Sequence, residues 1–160
     1  MSAKPASADH GTQDREIIIT RIINAPRNLV FAAWLDSKHA DKWMGPEGYT
    51  TVTQSMDVRP GGTWRFTMSG PQGVFPSRVT YIEIVKPSRL VYEHGSDSDN
   101  DPDAFHVTVT FEDLGDKTHI TMRSLFPSVE ARNKVVKEFK AIEGGYQTLE
   151  RLEQHVLAGR

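Results

Sequence analysis

The chain has no cysteine at any of its 160 positions. That absence removes disulfides, thiolate metal sites and a cysteine nucleophile together, and it fits a reducing compartment, so a cytoplasmic protein is expected. Nor does any segment approach the roughly 20 consecutive apolar residues that a membrane-crossing helix needs. Met1 to Asp14 lacks the apolar stretch of a secretory signal and mixes Ala, Ser, Lys, Asp, Gly and Gln. It is expected to be a disordered tail, with one domain over 15–160. An excess of basic charge is missing too: 19 Lys and Arg stand against 21 Asp and Glu, which argues against a nucleic-acid partner. Catalytic signatures are equally lacking. There is no HExxH, no G-x-S-x-G elbow and no phosphate-binding glycine loop, and the six histidines show no metal spacing. No metal and no cofactor are expected.

What the chain does have is a concentration of large aromatics where helices meet strands. A mass of 18.0 kDa fits one domain, and a chain of this length buries roughly 70% of its unfolded surface. Arg15 to Ile23 is rich in isoleucine and reads as a strand. Pro26 then starts a short helix, since its fixed φ suits a first helical turn; Val30, Phe31 and Trp34 form its apolar face. Asp36-Ser37 caps a second short helix ending near Trp43, and Gly45-Pro46-Glu47-Gly48 stops it.

Strand-like segments follow. Tyr49 to Val58 is the first; in Thr63 to Ser69, Trp64, Phe66 and Met68 face one way, Arg65 and Thr67 the other. Val74 to Val85 is long enough to need a bend, with Pro76 the candidate position, and Arg89 to His94 comes next. Phe105 to Phe111 and Thr118 to Phe126 alternate so that His106 and His119 fall on the polar side. After Pro127-Ser128 a helical stripe runs through Phe139, Ile142, Tyr146, Leu149, Leu152 and Val156. Gly144-Gly145 interrupts it at about 2 kcal/mol relative to alanine. Either the helix breaks there or its backbone passes very close to something; a junction at the glycines is the expectation. Consecutive antiparallel strands with one apolar face need a cover, which the terminal helix supplies. The fold class is therefore α+β: a curved antiparallel sheet of six or seven strands wrapped around a long C-terminal helix, with two short helices between the first two strands.

The phrases Ala25-Pro26-Arg27, Val30-Phe31-Ala32-Ala33-Trp34, Trp43-Met44-Gly45-Pro46-Glu47-Gly48, Pro60-Gly61-Gly62-Thr63-Trp64-Arg65-Phe66 and Glu143-Gly144-Gly145-Tyr146 occur in that order. So arranged, the chain resembles the SRPBCC (START/Bet v 1-like, helix-grip) superfamily, in the branch similar to the C-terminal domain of the heat-shock-protein-90 ATPase activator. The resemblance runs from about Glu16 to Leu157 and departs at Met44, where relatives usually carry an aromatic. It implies a cavity between sheet and terminal helix.

Ten residues are candidates for lining such a cavity: Trp34, Trp43, Trp64, Phe66, Met68, Tyr81, Tyr92, Phe105, Met122 and Tyr146. The alternative for each is ordinary core packing; as a group they offer apolar walls with a few polar points, as a ligand pocket requires. Arg65 and Arg78 could anchor a carboxylate, but Arg65 alternates away from Trp64 and Phe66. The run Asp97 to Asp103 begins like a calcium loop, yet its sixth position is Pro102 and its twelfth Thr108, so a solvated acidic loop is the reading.

The leading functional expectation is non-catalytic binding or sequestration of a small hydrophobic ligand: a lipid, sterol or polyketide-like molecule. A small cyclase- or hydrolase-like enzyme is the alternative. A chaperone-ATPase-regulating module is third. The eukaryotic activators bind the chaperone through a separate N-terminal domain, whereas here a 14-residue tail precedes the resemblance. A monomer or weak homodimer is expected, because the polar sheet face advertises no large apolar interface.

Overall fold

A computed structural model describes residues 11–159 of the chain. Most of the expected Met1–Asp14 tail lies outside the described residues. Within 11–14 the chain is already engaged, as Gln13–Arg15 make a 3-10 turn and the Thr12 hydroxyl donates to Glu16.

The isoleucine-rich segment forms β1 (Glu16–Ile23), and Pro26 leads into α1 (Arg27–Trp34). The Asp36 carboxylate accepts from the Lys38 amide and caps α2 (Ser37–Trp43). Then come β2 (Thr50–Met56), β3 (Thr63–Gly70), β4 (Gly73–Val85), β5 (Arg89–Ser96), β6 (Phe105–Asp113) and β7 (Thr118–Leu125). The Ser128 hydroxyl accepts from the Ala131 amide to cap α3 (Val129–Phe139), and α4 (Ala141–Ala158) ends the described chain. All seven strands join one antiparallel sheet in the order β1-β7-β6-β5-β4-β3-β2, so β1 pairs with β7 and the rest form a meander. This is the helix-grip α+β architecture.

Two local expectations change. Pro76 sits in regular pairing with Thr67, and the irregularity of β4 falls between Tyr81 and Glu83, at its pairing with β5. The helical region breaks at Lys140, whose φ of 51° ends α3 and begins α4, and not at Gly144-Gly145. The glycines lie inside a continuous helix whose backbone passes close to its neighbours, Gly145 to Ile19 of β1 and Gly144 to Pro46. A Cβ on Gly145 would stand 2.0 Å from Ile19 Cδ1.

The space between sheet and α4 is filled unevenly. At one end, Leu149, Leu152 and Val156 of α4 are buried with Trp43, Trp64, Phe111, Leu90 and Ile120. Val30, Phe31 and Trp34 of α1 join them, Trp34 meeting Trp43 edge-on at 4.8 Å and Phe111 at 5.6 Å. At the other end, the first turns of α4 stand over a hollow.

Candidate functional site

That hollow is a cavity of about 840 Å³, within the range of roughly 300–1,000 Å³ typical of small-molecule sites. Strand alternation builds its walls. Ile17 and Ile19 come from β1, Met68 from β3, Tyr92 and His94 from β5, Phe105 and Val107 from β6, and Met122 and Ser124 from β7. Gly144, Gly145 and Thr148 of α4 form the side opposite the sheet, and the loop Gly45–Tyr49 and residues Phe139–Ala141 border the cavity. Trp34, the last residue of α1, lies at the boundary between cavity and packed core.

Of the ten sequence candidates, Trp34, Met68, Tyr92, Phe105 and Met122 line this cavity. Trp43, Trp64, Phe66 and Tyr81 do not. They are buried in the packed end, Trp64 and Phe66 stacked with centroids 4.0 Å apart. Tyr146 is 45% exposed. The 3.6-residue period of Leu149, Leu152 and Val156 turns Gly145 inward and carries Tyr146 to the edge of the buried stripe.

The polar inventory is short. Trp43 Nε1 donates to the Ala33 carbonyl at 3.0 Å and Trp64 Nε1 to the Thr53 hydroxyl at 3.0 Å. Trp34 differs: its residue is 2% exposed, yet its Nε1 has no hydrogen-bond partner. Beside it is the Tyr92 hydroxyl, whose pKa burial pushes up, with the Trp34 indole N–H directed at it and acting against that rise. Tyr81, the cross-strand partner of Tyr92, has a buried hydroxyl that is likewise unpartnered, its pKa raised by burial and then by Tyr92.

His94 was not among the candidates. It shares the inward phase of Leu90 and Tyr92 on β5, which is the signal that finds it. Its ring lies 5.0 Å from Phe105 and 5.8 Å from Phe66, and burial lowers its pKa to about 4 against the opposing pull of Asp101. The imidazole is therefore neutral at pH 7. His119 pairs with Glu112 across β6 and β7.

The acidic run is spent internally. Asp97 accepts from Arg65 and Arg78, which hold its pKa down, with burial opposing them. Asp101 accepts from the Ser96 amide and hydroxyl. Arg65 and Arg78 are thus engaged with this loop, not with a cavity ligand. Among the described residues, no cluster of three or more His, Asp or Glu is placed to hold a metal ion, and no helix is long and apolar enough to cross a membrane.

No curated protein matches the chain. Solved structures do. A solution NMR structure of an Arthrobacter aurescens protein superposes with a TM-score of 0.83 at 23% identity, over 91% of this chain and 88% of that one. A crystal structure of a Nitrosomonas europaea protein gives 0.81 at 20%, over 92% and 97%. The AHSA1 protein from Silicibacter pomeroyi gives 0.71 at 18%, over 91% and 99%. At these identities the likeness is one of fold. The sequence model for activator of Hsp90 ATPase homolog 1-like proteins matches residues 24–156, from the end of β1 to the last turn of α4. The two short helices, strands β2 to β7 and nearly all of the helix that covers the cavity thus fall within one matched span, and the chain belongs to the activator of Hsp90 ATPase homolog 1-like family, a branch of the SRPBCC fold.

Proposed function

We propose that the protein binds and holds a small apolar molecule between its sheet and α4 without transforming it. The cavity of about 840 Å³ carries this reading, because the strands wall it mainly with apolar side chains while its charged residues come from loops and the start of α4. The partner is a small molecule; the protein's own state is a monomer or weak dimer, and a chaperone is not required.

A ligand present at 100 times its Kd stabilises the fold by about 2.7 kcal/mol, which at this chain length raises Tm by roughly 5–10 °C. Thermal shift with sterols and aromatic polyketides, alongside mass spectrometry of material extracted from natively purified protein, tests the reading. No shift with any apolar compound and no co-purifying molecule would end it.

His94 favours a second reading, that of a small enzyme, since it is a titratable side chain with a shifted pKa on the cavity wall. The direction of the shift works against that role. A general base is most effective with a pKa near the working pH, and burial has made this imidazole a weak base. Turnover of an ester or polyketide analogue that vanishes in His94→Phe would reverse the order of the two readings.

A further inference from the structure

We propose that the cavity selects an apolar guest bearing a hydroxyl group, and that this hydroxyl donates its hydrogen to the imidazole of His94. The inference rests on the ligand-binding reading above and adds to it the polar feature of the guest.

Three observations carry it. The first is how the polar side chains around the cavity are spent. The Ser77 hydroxyl donates to the Phe75 carbonyl at 3.1 Å, the Thr148 hydroxyl donates to the Gly144 carbonyl at 2.8 Å, and the Gln147 side chain accepts from the Glu47 amide. The Trp34 N–H is closed off and directed at Tyr92. His94 also lines the cavity, yet among the described residues none hydrogen-bonds its ring. Two buried side-chain polar atoms of the described residues lack both a partner and open surface, Trp34 Nε1 and Tyr81 Oη. The His94 nitrogens are not among them, so each keeps open surface.

The second is how the ring is held. β6 places Phe105 on one side of it at 5.0 Å, and β3 places Phe66 on the other at 5.8 Å. With an apolar ring on each flank, the part of the imidazole left open is its edge, which carries the nitrogens. Phe105 and Phe126, stacked at 4.7 Å, line the same cavity, so an apolar surface adjoins the hydrogen-bonding point.

The third is charge. Burial keeps the imidazole neutral at pH 7, so it offers one N–H and one lone pair. Asp101, a carboxylate whose pKa the Ser96 amide holds down against burial, acts on the ring from the loop after β5. The N–H is favoured on the side of that anion, which leaves the other nitrogen as an acceptor. Glu47, Asp103 and Glu143 also border the cavity, with Lys140 the cation among its lining residues. Such surroundings favour a donated hydrogen, whereas a carboxylate guest would be desolvated without a buried positive partner.

Three naphthalenes of one skeleton test this: 2-naphthol, 2-methoxynaphthalene and 2-ethylnaphthalene, titrated into the full chain, His94→Phe and His94→Gln. The readouts are Kd and the His94 ring nitrogens in long-range proton–nitrogen NMR spectra. Comparing the ratio of two compounds' Kd values between proteins cancels each compound's own hydration. In His94→Phe the Kd of 2-naphthol relative to 2-ethylnaphthalene should rise at least about fivefold, the cost of a buried hydroxyl left without a partner. The ratio for 2-methoxynaphthalene, which has the oxygen but no hydrogen to give, should move by less than about twofold. His94→Gln, whose amide oxygen also accepts, should recover part of the loss. In the wild type, 2-naphthol should move the unprotonated His94 nitrogen upfield, a readout that stands even where a variant fails to fold. An unchanged 2-naphthol ratio with an unmoved nitrogen would overturn the hydroxyl contact and leave the apolar cavity standing. An equal rise for the methoxy compound would show that His94 donates instead of accepting, which would overturn the proposal as well. If none of the three binds, the ligand-binding reading itself falls together with this inference.

Discussion

Gly145 of α4 rides directly over Ile19 of β1, so closely that a methyl group at position 145 would lie 2.0 Å from Ile19 Cδ1 and 3.4 Å from Cγ1. This contact explains a glycine in a helix interior. Alanine there would gain about 1 kcal/mol of helix propensity and force the terminal methyl of Ile19, a cavity-lining side chain, to turn aside, at about 0.5–1.5 kcal/mol for a displaced rotamer. Gly145→Ala is therefore expected to change the stability of the wild type by less than about 1 kcal/mol, the rotamer cost offsetting the gain in helix propensity. In an Ile19→Val background, which deletes the clashing Cδ1, the same change should be neutral or stabilising by up to about 1 kcal/mol. Urea denaturation of the four proteins measures the cycle. Additive effects would show that the glycine is there for another reason.

Much of this architecture is legible in the sequence because its signals are local. Pro26 and Asp36 mark helix starts, and the strict alternation of Phe105 to Phe111 identifies a half-buried strand. Tyr146 is exposed because the buried stripe of α4 is narrow, Leu149, Leu152 and Val156 with Gly145 in phase, and the spacing of apolar residues does not record that width. Trp43, Trp64, Phe66 and Tyr81 are buried away from the cavity, and the sequence does not say which end of the sheet–helix space stays open. That depends on the summed volumes of side chains from seven strands and two helices, which no local pattern records. His94 was legible and overlooked, since the alternation that placed Trp64 and Phe66 applies equally to Leu90, Tyr92 and His94.

His94 makes stability fall with acid. In the unfolded chain a histidine takes up its proton near pH 6.5, whereas the folded protein resists protonation of His94 until about pH 4. Between those values the unfolded state binds more protons, so acidification favours unfolding. The loss amounts to on the order of 3 kcal/mol by pH 4. His155, whose pKa is lowered by burial and then by His39 and Lys42, acts in the same direction. Urea midpoints at pH 7 and pH 4.5 should differ accordingly. In His94→Phe, where a phenyl ring takes the place between Phe66 and Phe105, most of that difference should vanish. An unchanged pH slope in the variant would refute the assignment.

Arg151 ties α4 to the loop that borders the cavity. Its Nη1 donates to the Gly45 carbonyl at 2.7 Å and the Pro46 carbonyl at 3.0 Å, while the Gln147 side chain accepts from the Glu47 amide at 3.1 Å. Two adjacent carbonyls suit a guanidinium better than an ammonium, which acts as a point charge. Arg151→Met, which keeps the apolar stem, should cost about 1.5–3 kcal/mol and speed hydrogen exchange at Glu47 and Tyr49. Arg151→Lys should recover less than half of the loss. Unaltered exchange at both amides would mean that Gln147 and the turn hold the loop by themselves.

Ser124 offers a way to close the cavity without disturbing its frame. It lies on the inward phase of β7 between Met122 and Phe126, lines the cavity, and pairs through its backbone with Ile17 and Val107. In a packed core a serine-to-phenylalanine change would force strain of about 1–3 kcal/mol. Here the ring has the cavity to enter, where it gains dispersion contacts and removes apolar surface from water. Ser124→Phe is therefore expected to hold or raise Tm while weakening an apolar ligand such as 2-ethylnaphthalene at least tenfold. The two readouts must move in opposite senses. A variant that binds as well as the wild type would place the ligand outside this cavity, and a fall in Tm of more than a few degrees would show that Ser124 faces packed side chains and that the hollow is smaller than its lining implies.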